Sequence, residues 1–139
     1  MSKISITGAA GFVGTNLQNY LKSSHEIVPM SVRYKPNQEF EVTADVVIHL
    51  AGKAHDLKKV SHPQDYYDAN YELTKQLFDG FINSEAKVFV FMSTVKAVAD
   101  EVKGILSEDA IPNPKTHYGI AKHQAEQYLL SHELPQGKR

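Results

Sequence analysis

The sequence contains no cysteine. That excludes a disulfide framework, a thiolate nucleophile and a cysteine-based metal site, and it fits the cytoplasmic location expected here. Long hydrophobic runs are missing too: no apolar stretch approaches the about 18 residues a membrane-spanning helix needs. The N-terminus enters a strand-like run at once, which is read as leaving no room for a signal peptide. Neither sign of charge dominates. With 15 Lys and Arg against 16 Asp and Glu, the formal net charge is −1, so electrostatics make no case for nucleic acid or an anionic membrane as partner. Lys58-Lys59 is too short to serve as a basic arm. The seven histidines show no His-x-x-x-His or similar ligand spacing, so no metal site is expected.

What is present is the composition of a soluble globular domain, with 42% hydrophobic and 22% charged residues in 139. One domain spanning residues 1–139 is expected. The chain is organised around KISITGAAGFVG, Lys3 to Gly14. Alternating Ile4 and Ile6 read as a strand that breaks into Gly8, Gly11 and Gly14, and a helical pattern then runs from Phe12 and Val13 through Leu17, Tyr20 and Leu21. Strand, glycine turn and helix in that order form a dinucleotide-binding corner. One glycine permits the tight turn, another lets backbone approach a pyrophosphate, and a third lets helix pack on strand. The helix N-terminus offers free N–H groups to the anion. The spacing is G-x-x-G-x-x-G, which alone also fits an ordinary turn.

Further along, His25–Met30 reads as a second strand, with Pro29 marking its end or an irregularity, and Phe40–Val42 as a short edge strand. Val46–Leu50 (VVIHL) is a continuous apolar run, expected to be buried on both faces of a parallel sheet. Pro63 opens a helix carrying Tyr66, Asn70, Leu73, Leu77 and Phe81 at helical spacing. Lys87–Met92 (KVFVFM) reads as another buried strand, 95–116 mostly as loop, and a last helix carries Tyr118, Ala121, Ala125, Tyr128 and Leu129. Strands alternating with helices predict a Rossmann-like, doubly wound α/β fold with a parallel sheet and right-handed connections. Tyr66, Tyr67, Tyr71 and Phe78 are expected in core or helix–helix contacts, His49 as a satisfied core histidine, and His55 as a possible ligand contact.

Ligands of such sheets bind at the carboxyl ends of strands. Three ends carry suggestive residues: Gly8–Gly14, Ala51-Gly52 and Ser93-Thr94. Tyr118 and Lys122 lie four apart, hence on one helix face. A neighbouring ammonium stabilises phenolate and lowers a tyrosine pKa from about 10, which would make Tyr118 a usable acid/base. By spacing alone, the pair also fits a packed tyrosine beside a solvated lysine.

TGAAGFVG, VVIHLAG, the helix asparagine Asn70, MST at Met92–Thr94 and YGIAK at Tyr118–Lys122 together resemble the extended short-chain dehydrogenase/reductase family of nucleotide-sugar epimerases and dehydratases, such as the UDP-glucose 4-epimerases. The resemblance implies that Gly8, Gly11, Phe12, Val13 and Gly14 line the pyrophosphate of NAD or NADP, with Leu50, Ala51 and Gly52 beside the cofactor. It implies Thr94 as the substrate-orienting hydroxyl and Tyr118 as the acid/base. Lys122 would lower the pKa of Tyr118 and bond the nicotinamide ribose, and Asn70 would support the structure. A homodimer through the Asn70 and Tyr118 helices is implied as well. Departures are Ala97-Val98-Ala99 in place of Val-Tyr-Gly, and Leu73 in place of a helix glycine. Ser93-Thr94-Val95-Lys96 is closer to the version in quinovosamine-type dehydrogenases and 4-epimerases.

No acid lies between Val28 and Gln38, while Ser31 and Arg33 suit a 2′-phosphate, which tips the expectation slightly from NAD toward NADP. Members of the resembled family run to roughly twice this length, with a C-terminal portion that completes the sugar site. The chain is therefore expected to be a piece of a longer protein, lacking that portion and full turnover by itself. The leading reading is an NAD(P)-dependent epimerase or dehydratase acting on a nucleotide sugar. The alternatives are an NADP-dependent nucleotide-sugar reductase or dehydrogenase, and a non-catalytic NAD(P)-binding sensor or scaffold.

Overall fold

A computed structural model describes residues 1–54 and 62–139. The elements in chain order are β1 (Lys3–Thr7), α1 (Phe12–Leu21), β2 (Glu26–Met30), β3 (Val46–His49), α2 (Pro63–Tyr67), a π-helical turn (Asp68–Glu72), α3 (Leu73–Ile82), β4 (Val88–Phe91) and α4 (His117–Leu130). Among the described residues the strands form one parallel sheet in the order β2-β1-β3-β4. Chain order reverses between β1 and β3, and in open α/β sheets that reversal is where ligands sit.

Side chains alternate along each strand, and the two sheet faces differ. Val47 on β3 joins Leu77, Phe78 and Phe81 of α3 in the main core, with Phe89 of β4 and Tyr128 of α4 packed against them. Each fully buried Leu or Phe contributes about 1.5–3 kcal/mol, so this face anchors the fold. The right-handed β1–β2 crossover places α1 on the opposite face. There Ile4 and Ile6 are buried, but Val90 near the sheet edge is 42% exposed. The apolar run of β4 is thus covered on one side only, and the expectation of a strand buried on both faces fails there.

Other expectations are corrected. Phe40–Val42 forms no strand. Its segment is bound to α3 instead: Gln76 Nε2 donates to the Lys35 carbonyl at 2.8 Å, and Phe40 and Val42 join the core. Pro29 neither ends nor distorts β2. It lies within the strand opposite Ile6, tolerated because β2 is at the edge and its lost N–H costs the sheet nothing there. In α1 the predicted apolar stripe is only partly used, since Phe12 and Tyr20 are 87% and 80% exposed. Phe78 is buried, whereas Tyr66, Tyr67 and Tyr71 are half-buried.

The backbone beyond α4 returns to the sheet. Arg139 N donates to the Lys87 carbonyl, and Phe89 N donates to the Arg139 carbonyl, each at 2.9 Å. Lys138 Nζ donates to the carbonyls of Phe81 and Ser84 at 3.0 and 2.7 Å and to that of Ala86, satisfying acceptors where α3 ends. Among the described residues, no helix is long and apolar enough to cross a membrane.

Candidate active site

The first wall of the site is the turn from β1 to α1. Gly8 has φ +66°, and a Cβ there would lie 2.8 Å from Ala51 N, so this residue is glycine for both conformation and space. A Cβ on Gly14 would lie 2.3 Å from the Gly8 carbonyl oxygen. The two glycines together let α1 start directly against the turn. Gly11 caps α1 in extended conformation with no side-chain hydrogen bond, which leaves the first-turn N–H groups facing outward for an anion.

Along this turn runs a cleft of about 680 Å³ lined by Gly8, Arg33, Ala51 and Gly52, with Lys53, Asp65 and Asp68 beyond. An adjoining hollow of about 300 Å³ is lined by Gly8, Ala9, Ser31 and Ala51. The structure therefore brings Gly8, Ser31, Arg33, Ala51 and Gly52 to one connected surface. Gly11, Phe12, Val13, Gly14 and Leu50, on the same turn and strand end, line neither cavity. The cleft that Arg33 lines also holds two carboxylates, whose charge acts against an extra phosphate. His55 lies outside the described residues.

The floor is a buried polar layer. Thr7, His49, Asn70 and Thr74 are 0–1% exposed. Thr7 Oγ1 accepts from Leu50 N and Ala51 N at 3.1 Å each and lies 2.7 Å from His49 Nδ1. His49 Nε2 lies 3.0 Å from Thr74 Oγ1. Burial pushes the imidazole pKa down to about 3, with the Lys122 ammonium adding to the effect. The neutral, fully bonded ring is the satisfied core histidine that the apolar run of β3 predicts. Asn70 Oδ1 accepts from Lys53 N at 3.1 Å, and its Nδ2 donates to the carbonyls of Lys53 and Tyr66 at 2.9 and 3.0 Å.

A second wall, outside both of these cavities, follows β4. Thr94 Oγ1 accepts from Lys96 N at 3.3 Å, capping a 3₁₀ turn at Val95–Ala97. Ser93 Oγ donates to Glu126. Thr116 caps α4, its Oγ1 accepting from Gly119 N at 3.1 Å. Tyr118 is half-buried and lines a separate hollow of about 320 Å³ with Tyr66, Lys96, Lys115 and His117. Lys122, one turn on, is buried at 5% exposure; its ammonium donates to the Met92 carbonyl and lies 4.1 Å from the Phe91 ring centroid. Burial lowers its pKa to about 8, partly offset by Glu126. Tyr118 and Lys122 thus share one helix beside the strand end, with the lysine turned toward the sheet.

The chain matches the NAD dependent epimerase/dehydratase family over residues 4–137. The chain belongs to that family. It is 31% identical to the UDP-glucose 4-epimerase of Vibrio cholerae, over 92% of this chain and 46% of that protein. Among solved structures, it is similar to the UDP-glucuronic acid 4-epimerase of Bacillus cereus in complex with NAD. There the TM-score is 0.77 at 27% identity, covering 93% of this chain and 52% of that one. It also resembles RMD from Pseudomonas aeruginosa complexed with NADPH, with TM-score 0.77 at 25% identity, over 94% of this chain and 49% of that one. The chain spans about half the length of these relatives.

As a member of the NAD-dependent epimerase/dehydratase family, the chain has the Rossmann-like parallel sheet that the sequence implies, with four strands among the described residues. Sequence reading missed three contributors to the site. Thr7 and Thr74 are ordinary strand and helix residues until β1, β3 and α3 are brought together. Glu126 has a sequence signal: it stands four residues after Lys122, on the same helix face.

Proposed function

We propose that this chain is the cofactor-binding and acid/base portion of an NAD(P)-dependent enzyme acting on a nucleotide sugar, of the epimerase or dehydratase type. The observation that carries the reading is the joint placement of the glycine corner, the Leu50–Gly52 stretch and the Tyr118–Lys122 pair. The first two follow the carboxyl ends of β1 and β3, and from α4 the Lys122 ammonium reaches the Met92 carbonyl just past the end of β4. NAD or NADP would lie with its pyrophosphate on Gly8–Gly14 and the α1 N-terminus, its adenosine end toward Ser31 and Arg33, and its length along Leu50, Ala51 and Gly52. The cofactor supplies hydride acceptance and donation. Tyr118 takes or returns the hydroxyl proton of the sugar carbon that is oxidised or reduced, Thr94 orients that hydroxyl, and Lys122 provides positive charge beside both. Epimerisation, dehydration and reduction share this step. A homodimer through the Asn70 and Tyr118 helices is part of the proposal, and sedimentation showing only monomer at high concentration would count against it.

Calorimetric titration with NAD⁺, NADP⁺, NADH and NADPH tests the cofactor part. Binding is expected, with Arg33→Ala weakening the phosphorylated forms selectively. A folded chain that binds none of the four would overturn the assignment.

A further inference from the structure

The hydrogen bonds under the cofactor cleft have only one consistent direction. Thr7 Oγ1 accepts two backbone N–H groups, from Leu50 and Ala51. Its own proton is then free for His49 Nδ1 at 2.7 Å, which must be bare to accept it. The ring proton therefore sits on Nε2 and is donated to Thr74 Oγ1 at 3.0 Å. Thr74 in turn donates to the Asn70 carbonyl at 2.9 Å. Asn70 closes the circuit by holding the backbone N–H and carbonyl of Lys53. Each donor in this run has an acceptor, and the run begins and ends on the stretch 50–53, of which Ala51, Gly52 and Lys53 line the cleft. A Cβ on Gly52 would lie 2.5 Å from Asn70 Oδ1, so the stretch is also wedged against that amide.

We propose that His49 is a positioning residue for the cofactor site: held as the Nε2–H tautomer between Thr7 and Thr74, it fixes the Leu50–Lys53 stretch against the glycine turn and couples it to the π-helical turn that carries Asn70. This goes beyond the functional reading above but rests on it for the identity of the ligand in the cleft. The ring suits the role. It is covered by Phe89 and Phe91, with centroids at 6.2 and 5.8 Å. The charged group bearing on it is Lys122 from α4, which disfavours imidazolium. Among the described residues no carboxylate hydrogen-bonds the ring. A neutral histidine with one donor and one acceptor gives the relay its polarity, and a charged one would break it at Thr7.

The test uses Thr74, which does not line the cleft and touches the loop only through the relay. In Thr74→Val, amide hydrogen exchange at Leu50 and Ala51 should accelerate about tenfold relative to Val47 on the same strand, the size expected for weakening one buried hydrogen bond. Affinity for NAD(P) should fall by a similar factor, and Thr74→Ser should restore both. Nitrogen NMR of the unmodified chain should show His49 protonated at Nε2 and bare at Nδ1. Unchanged exchange at Leu50 and Ala51 in a folded Thr74→Val would overturn the proposal. So would a histidine protonated at Nδ1, and this readout decides the matter even if Thr74→Val does not fold. If the unmodified chain binds neither NAD nor NADP, the functional reading fails, while exchange and tautomer still judge the relay.

Discussion

The two walls of the candidate site, one lining the cleft between β1 and β3 and one around the separate hollow beyond β4, are built to different standards. The wall from β1 and β3 is dry and closed, with Thr7, His49, Asn70 and Thr74 almost fully buried and hydrogen-bonded to one another or to the loop they hold. The wall beyond β4 is open. Val95, Ile105 and Ile111 are 68%, 96% and 88% exposed, and Lys96, Lys115 and Thr116 stand at the surface. The difference follows from where backbone polar groups find partners. Strand ends in the middle of the sheet share theirs with neighbouring strands and helices, whereas the segment after β4 relies on short turns and caps. If the proposal holds, the binding wall is the one whose polar groups are all buried and bonded. The proposed acid/base wall, carried on capped turns, is then the part whose geometry other contacts can adjust.

The sharpest way to break the contrast is Tyr118→Phe. If the open wall carries proton transfer, loss of the hydroxyl in the longer protein that includes the sugar-site portion should slow hydride exchange with a nucleotide sugar by about 10²–10⁴-fold, while calorimetry finds cofactor affinity little changed. Equal loss of affinity would mean that the walls do not divide the labour.

Acid should attack the closed wall next. The folded-state pKa of His49, about 3, lies below the ordinary 6.5, so the unfolded chain binds the extra proton more readily. Stability is then fully retained above pH 6.5 and falls as pH drops from there toward 3, by on the order of 4 kcal/mol from this residue. Urea unfolding across that range, with NMR titration of the His49 ring, checks it. A ring titrating near its ordinary value in the folded chain would contradict it.

Smaller effects separate packing from capping. Gly14→Ala sets a methyl against the Gly8 carbonyl and Ala9 Cα and should cost about 1–3 kcal/mol in thermal unfolding, with a clear loss of cofactor affinity. Thr116→Ala removes the cap of α4 and should cost about 1 kcal/mol without touching cofactor affinity. A loss of binding there would tie the open wall to the closed one.

How much of this was legible depends on whether a feature is local. The glycine corner, the apolar runs of β1 and β3 and the Asn70–Phe81 periodicity are written in consecutive residues and came through. Phe40–Val42 has the pattern of a strand, but its side chains pack into the core beside α3, and no pattern reveals that competition. The apolar β4 run gave no sign that one of its faces is left open at Val90, because apolarity reports burial tendency and not which face is covered. The π-helical turn keeps apolar spacing intact and leaves no compositional mark. The relay through Thr7 and Thr74 depends on strand register and helix position, and residues 42 and 25 apart in sequence cannot be paired without them.

The most direct test of the central claim, that the closed wall is a ready-made NAD(P) site, is a calorimetric titration of the chain beside Gly8→Ala. With φ +66° and backbone 2.8 Å from the added Cβ, that variant cannot keep the turn against Ala51. The account predicts saturable binding of NAD(P) by the unmodified chain and at least about a tenfold loss in Gly8→Ala, of the order one backbone misfit at a contact produces. Equal affinity in the two, or no binding by a folded unmodified chain, would contradict it.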